Sequence, residues 1–220
     1  MTDIYRIAID GPSGAGKSTV AKTVAKVLGI EYIDTGAMYR AIGLKMVRLG
    51  IPFVEDEALL KMLEETDIDF AYGKVFLDGE DVSGLIRTNE ISKAASDCSA
   101  FKSVRVKLVE IQQGLGKKKS IIMEGRDICT VVLTDAEFKY FLTASAEERA
   151  RRRYKELVEK DPSADYDDIL RQINERDYND SHREVDPLRQ AEDAILIDSS
   201  DMSIDEVVDF IVKRVEKYNG

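Results

Sequence analysis

The stretch Gly11-Pro12-Ser13-Gly14-Ala15-Gly16-Lys17-Ser18 constrains this chain more than any other. It matches the pattern G-x-x-x-x-G-K-[ST] at every position. Before it, Ile4-Tyr5-Arg6-Ile7-Ala8-Ile9 is a short, mostly apolar run with β-branched residues, which reads as a buried parallel strand. After it, Thr19 leads into a segment whose Val20, Ala21, Val24, Ala25, Val27 and Leu28 share one helical face, with Gly29 as its C-terminal cap. Strand, glycine loop and helix is the geometry that cradles a triphosphate. Glycines let the main chain approach phosphate oxygens, successive N–H groups form an anion nest, and the helix N-terminus adds its positive dipole end. In such a loop Lys17 reaches the β and γ phosphates and Ser18 offers its hydroxyl to Mg²⁺.

Further along, Glu31-Tyr32-Ile33 reads as a second strand, ending at Asp34-Thr35-Gly36. Ligands of open α/β sheets bind outside the carboxyl ends of the strands, so Asp34 and Thr35 are expected beside the phosphate loop. A helix from Met38 is stopped by Gly50 and Pro52, and Arg40 on its first turn either clamps an anionic group or makes a surface ion pair. A short helix is expected over 55–65. The texture then changes to two hairpin-like strands, 67–70 and 74–77, and Asp78-Gly79 after them is a turn signal. Thr88 is placed to cap a helix reaching Ser96, and a longer helix covers Phe101 to Leu115. Core strands resume at Ser120-Ile121-Ile122-Met123-Glu124, an apolar run closing on a carboxylate that can hold Mg²⁺, often through water. With runs near residues 4, 30, 120, 138 and 194, the expected fold is α/β: a P-loop NTPase-type three-layer arrangement on a five-stranded parallel sheet.

Arg149, Arg151, Arg152, Arg153, Arg171, Arg176, Arg183 and Arg189 crowd the stretch 147–189, which is read as two helices, 145–160 and 166–177, broken at Asp161-Pro162-Ser163-Ala164-Asp165. Beside a phosphate loop this pattern suggests a lid that brings guanidinium groups onto a transferring phosphoryl and excludes water. The interleaved acids also suit a solvated helix pair laced with ion pairs. His182, the sole histidine, reads as a surface residue and not as a general base.

Composition excludes several classes. A net charge of −10 argues against a nucleic-acid partner. No apolar run approaches the roughly 20 residues that span a bilayer, and no leader is apparent at Met1, so a cytoplasmic setting is expected. Cys98 and Cys129 have no metal-ligand spacing and are expected reduced.

Several motifs together resemble the bacterial cytidylate kinase family, in the nucleoside-monophosphate kinase group. They are Ile9 through Ser18, Asp34-Thr35-Gly36-Ala37-Met38-Tyr39-Arg40, Gly79-Glu80-Asp81-Val82-Ser83, Ile86-Arg87-Thr88, Ala94-Ala95-Ser96, Gly125-Arg126-Asp127, and Glu175-Arg176-Asp177 with Asp180 and Arg183. The resemblance covers almost the whole chain. It implies one domain over 1–220: a core of 1–59, 106–146 and 187–220, an inserted NMP-binding subdomain of about 60–105, and a helical lid of about 147–186. It implies ATP as donor on Gly11, Pro12, Ser13, Gly14, Ala15, Gly16, Lys17, Ser18 and Thr19, and Mg²⁺ at Ser18 and Glu124. CMP or dCMP is implied as acceptor, and a monomer as the working form. Ser96, Arg105 and Asp127 correspond to cytosine readers, and Thr35 lies in the segment that approaches the nucleotide. Arg40, Arg126, Arg176 and Arg183 correspond to a phosphate clamp, Asp180 to the sugar ligand, and Arg149 and Arg153 to lid arginines acting with Lys17 and Arg126 in catalysis. The chain departs from the family in Glu124 for a usual Asp, Cys129 for Gly and Thr134 for Pro, and Cys129 is expected to be the more accessible cysteine.

The chemistry is consistent with those roles. Cytosine offers an exocyclic amine donor and a ring-nitrogen acceptor, and uracil reverses the pattern. Asp127 and Ser96 can accept from the amine, and Arg105 can donate to the ring nitrogen. Uracil would leave such groups badly paired. The rival readings are another small-molecule P-loop kinase acting on UMP, AMP or shikimate, a GTPase switch, for which no N-K-x-D guanine reader occurs, and a nucleotide-binding module without turnover.

Overall fold

The computed structural model describes residues 4–71, 73–159 and 161–219. These fall into two compact units, one built from Met1–Tyr32 with Ser120–Gly220, the other from Ile33–Lys119.

The first unit carries a parallel sheet. Strands β1 (Arg6–Asp10), β2 (Glu31–Asp34, at the junction of the units), β6 (Ile121–Gly125), β7 (Phe138–Thr143) and β8 (Ile195–Asp198) lie in the order β2-β6-β1-β7-β8. β1 is central, and Ile7, Ala8 and Ile9 have no exposed surface. That accounts for its continuous apolar run, since a parallel strand is covered on both faces. Its register pairs Ile9 with Glu124 and Asp10 with Gly125 on one side, and Asp10 with Phe141 on the other. Helix α1 (Lys17–Leu28) packs Val20, Ala21 and Val24 into a core shared with Ile7, Ile9, Tyr140 and Leu142. The last helix, α8 (Ile204–Asn219), adds Val207, Ile211 and Val215 to the same core. Each such fully buried aliphatic side chain contributes about 1.5–3 kcal/mol. Gly29 caps α1 in the left-handed region at φ 67°, as its position foretold.

Helices α6 (Ala146–Val158) and α7 (Tyr166–His182) form the arginine-rich hairpin of the same unit, joined through Ile169, Ile173 and Ala150. Ser145 and Asp165 cap them through Glu148 and Asp168 N–H. Lys160, expected as the last residue of the first helix, lies outside the described residues. α7 runs on past Asp177 to His182, whose ring stacks on Tyr178 with centroids 4.0 Å apart.

The second unit contains α2 (Thr35–Leu49), α3 (Glu57–Glu64), α4 (Asn89–Cys98) and α5 (Lys102–Gly116), with the small antiparallel sheet β3 (Ile68–Ala71), β4 (Lys74–Leu77), β5 (Glu80–Asp81). Asp78 and Gly79 both take positive φ, 52° and 83°, so the expected turn is one that demands left-handed backbone at both positions. The two-residue β5 was not anticipated. α2 packs closely on α4 because position 43 is glycine: a Cβ there would stand 2.9 Å from the Ala95 nitrogen.

Candidate active site

In the first unit the loop between β1 and α1 is held open by its glycines. A Cβ on Gly11, at φ +150°, would meet the Leu142 carbonyl oxygen at 1.9 Å, and Gly14 and Gly16 sit at φ +76° and +87°. Lys17 is buried, and its Nζ donates to the Pro12 carbonyl oxygen at 2.7 Å. Burial first, and Arg126 second, push its ammonium down to about 7, against the opposing pull of Glu124, Asp10 and Asp180. Ser18 Oγ donates to Glu124 Oε1 at 2.6 Å, and the Tyr32 hydroxyl donates to the same oxygen at 3.1 Å. A hydroxyl beside a buried carboxylate is a hard oxygen pair that suits a small divalent cation. Among the described residues no group of three or more His, Cys, Asp or Glu could enclose one, so its other ligands would be phosphate or water oxygens.

Asp10, at the end of β1, is 1% exposed. Its two carboxylate oxygens accept the backbone N–H groups of Ile128 and Cys129, at 2.8 and 2.7 Å. Burial pushes the acid up to about 6 even though both N–H bonds oppose the shift. These bonds hold a π-helical turn, Ile128–Val132, directly after Asp127. Cys129, expected to be accessible, is instead 3% exposed, with Sγ directed at the Ala8 and Tyr140 carbonyls, and burial pushes its thiol far up. Thr134 stands in the loop before β7, where its carbonyl oxygen accepts from Lys139 Nζ.

The arginines do not share one environment. Arg149 is 5% exposed and fully engaged: Nε donates to the Ala144 carbonyl, one terminal nitrogen to the Ser13 carbonyl at 2.8 Å, the other to Asp177 at 2.6 Å. It thereby ties helix α6 to the phosphate loop at Ser13. Arg153 is exposed and pairs with Glu156 at 3.1 Å. With Arg149, Arg152 and Arg176, it walls a cavity of about 460 Å³ that opens on Ser13 and Gly14. Arg126 donates to Asp180 at 2.6 Å, and Arg183 lies 3.7 Å from Asp127. The structure thus brings Arg126, Asp127, Asp180 and Arg183 into linked acid–base pairs.

The second unit holds Thr35, Arg40, Ser96 and Arg105. Asp34 caps α2 through Ala37 N–H at 2.9 Å, and its other oxygen holds Arg40 at 3.0 Å. Arg40 is therefore ion-paired, while its Nε is buried without a hydrogen-bond partner. Thr35 is buried on the first turn of α2. Arg105 is 2% exposed on α5 with its guanidinium over the Tyr39 ring, 5.9 Å from the centroid. Ser96 is exposed on α4.

Sequence reasoning passed over Asp10, Tyr32, Asp34 as the holder of Arg40, and Gly43. For Asp10 a signal was present: a carboxylate closing an apolar strand can remain buried only if it is hydrogen-bonded.

Residues 7–217 match the cytidylate kinase family. Cytidylate kinase of Caldicellulosiruptor saccharolyticus is 54% identical over 218 residues, covering 97% of this chain and 96% of that protein. Cytidylate kinase of Clostridium perfringens strain SM101 is 49% identical over 217 residues, 99% of this chain and 100% of that protein. Among solved structures, shikimate kinase from Bacteroides thetaiotaomicron superposes with a TM-score of 0.51 at 13% identity, over 97% of this chain and 99% of that one, a likeness of fold.

Proposed function

This chain belongs to the cytidylate kinase family, and from that premise we propose how its residues divide the work. It is a nucleoside-monophosphate kinase that transfers a phosphoryl group to CMP and dCMP, with ATP as the donor. The attacking oxygen belongs to a phosphate already ionised at neutral pH, so the step needs no general base, and catalysis rests on positioning and charge neutralisation.

In this reading Gly11 through Thr19 hold the ATP phosphates, and Lys17 leaves the Pro12 carbonyl for the transferred phosphoryl. Ser18 and Glu124 would hold Mg²⁺: the Ser18 hydroxyl already adjoins the Glu124 carboxylate, so the extra carbon of Glu over Asp leaves that role in place. When bound, Mg²⁺ supplies positive charge to the β- and γ-phosphate oxygens. Arg126, Arg149 and Arg153 add to the positive field of the transition state. Arg40, Arg176 and Arg183 bind the acceptor phosphate with Arg126. Thr35 lines the nucleotide, Asp180 takes the sugar hydroxyl, and Ser96, Arg105 and Asp127 read cytosine. Asp180 pairs with Arg126 and Asp127 lies near Arg183, so two proposed clamp arginines stand beside the proposed sugar and base ligands.

We assign the acceptor-binding role to the insertion of about 60–105 with its flanks, and the lid role to about 147–186. No helix among the described residues is long and apolar enough to cross a membrane, and both cysteines are buried and unpaired. The proposed working form is a monomer in the cytoplasm, and the net charge of −10 speaks against a polyanionic nucleic-acid partner.

The observation that carries the reading is the cavity at Ser13 and Gly14, walled by Arg149, Arg153 and Arg176. Removal of divalent ions by a chelator is expected to abolish ADP formation from ATP and CMP, and Mg²⁺ to restore it. Ser18→Ala is expected to raise the half-saturating Mg²⁺ concentration about tenfold, the loss of one inner oxygen ligand. Activity unaffected by chelation would exclude the cation role.

A further inference from the structure

We infer that Asp10 is a positioning residue for Asp127, holding the turn on which base selection depends; the inference rests on the reading of Asp127 as a cytosine ligand. Asp10 grips the chain on both sides of Arg126-Asp127. On the near side it is the β1 partner of Gly125 in the parallel register. On the far side its two oxygens accept the N–H groups of Ile128 and Cys129. Between these anchors Asp127 takes φ −145°, ψ 20°, and its carbonyl oxygen accepts from Val131 N–H at 2.9 Å and Val132 N–H at 3.3 Å, closing the turn. Asp127 is thus flanked on one side by the strand partner of Asp10 and on the other by the turn that Asp10 caps.

A core role alone does not require a carboxylate here. The neighbours Ile7, Ala8 and Ile9 fill the sheet with apolar side chains, and a buried acid is costly unless its hydrogen bonds are made. An acceptor with two oxygens is what two successive N–H groups of a tight turn need. Asp10 is also the residue immediately before Gly11, so a single side chain ties the start of the phosphate loop to the base-reading turn.

The test measures kcat and KM for CMP, UMP and ATP in the wild type, Asp10→Asn, Asp10→Ser, Asp127→Ala and the double variant Asp10→Asn/Asp127→Ala, with thermal unfolding to confirm that each is folded. Asp10→Asn keeps the shape but loses one acceptor, and Asp10→Ser gives a second route to the same loss. Both are expected to lower the CMP-to-UMP ratio of kcat/KM about tenfold through KM for CMP, with KM for ATP changed less than about twofold. In the Asp127→Ala background Asp10→Asn should change that ratio less than about twofold, because the two residues act as a unit. Equal losses for CMP and UMP with a parallel rise in KM for ATP would mean a general structural role and overturn the inference alone. A wild-type ratio in Asp127→Ala would overturn the base-reading assignment and this inference with it.

Discussion

The Lys17 ammonium group donates to the Pro12 carbonyl oxygen, 2.7 Å away and within its own loop. Its folded-state value near 7 lies well below the ordinary lysine value of 10.5, because burial disfavours the charge. Phosphate oxygens favour the charged form and raise that value on binding. At pH 8 much of the free protein carries a neutral Lys17, so ATP binding takes up a proton; at pH 6 Lys17 is already charged and uptake vanishes. Calorimetry in buffers of different ionisation enthalpy should show uptake approaching about one proton above pH 8. Lys17→Met should abolish it. Uptake that does not depend on Lys17 would contradict this assignment.

Asp34 serves two partners with separate oxygens, which allows its roles to be separated. Asp34→Asn keeps a cap oxygen for Ala37 N–H but weakens the hold on Arg40. It should leave the unfolding temperature nearly unchanged and raise KM for CMP. Asp34→Ala removes both and should also cost about 1 kcal/mol of stability, the usual price of a lost N-cap. Thermal melts and acceptor kinetics on the pair check both halves.

Gly11→Ala places a methyl group 1.9 Å from the Leu142 carbonyl oxygen, at a φ that side chains avoid. The backbone must shift, at a cost of about 3 kcal/mol or more, and the phosphate loop shifts with it. Gly29→Ala also sits at positive φ, but nothing lies within 4 Å, so it should cost only about 1 kcal/mol. Urea denaturation of the two variants measures the difference.

Tyr32 and Ser18 both donate to Glu124 Oε1. Tyr32→Phe frees the longer acid on one side while leaving the donor loop intact. The half-saturating Mg²⁺ concentration should rise about tenfold, as for loss of a supporting hydrogen bond behind a ligand, with KM for CMP unaltered. An unchanged Mg²⁺ requirement would remove Tyr32 from the account.

What could be read in the sequence was local. The strand, loop and helix around Lys17 follow from an apolar run, spaced glycines and one helical stripe, and the parallel sheet follows from repeats of the same kind of run. The Asp78-Gly79 turn carried its own backbone demand. What escaped depends on partners distant in sequence. Ile128-Cys129-Thr130-Val131-Val132 has the β-branched texture of a strand, yet it forms a π-helical turn because Asp10, 118 residues earlier than Ile128, takes two of its N–H groups. Arg149 lies in a charge-rich helix that reads as solvated, yet it is buried because three acceptors from three parts of the chain converge on its guanidinium. Glu80–Asp81 pairs as a strand through its neighbour β4 and not through any apolar pattern of its own.

The measurement that bears most directly on the account is ADP formation from ATP and Mg²⁺ with CMP, dCMP, UMP and AMP offered separately, to the wild type and to Asp127→Ala. The account predicts rapid turnover with CMP and dCMP, little with UMP or AMP, and a collapse of that preference in the variant. A preference for UMP or AMP, or a variant that still selects cytosine as the wild type does, would contradict it.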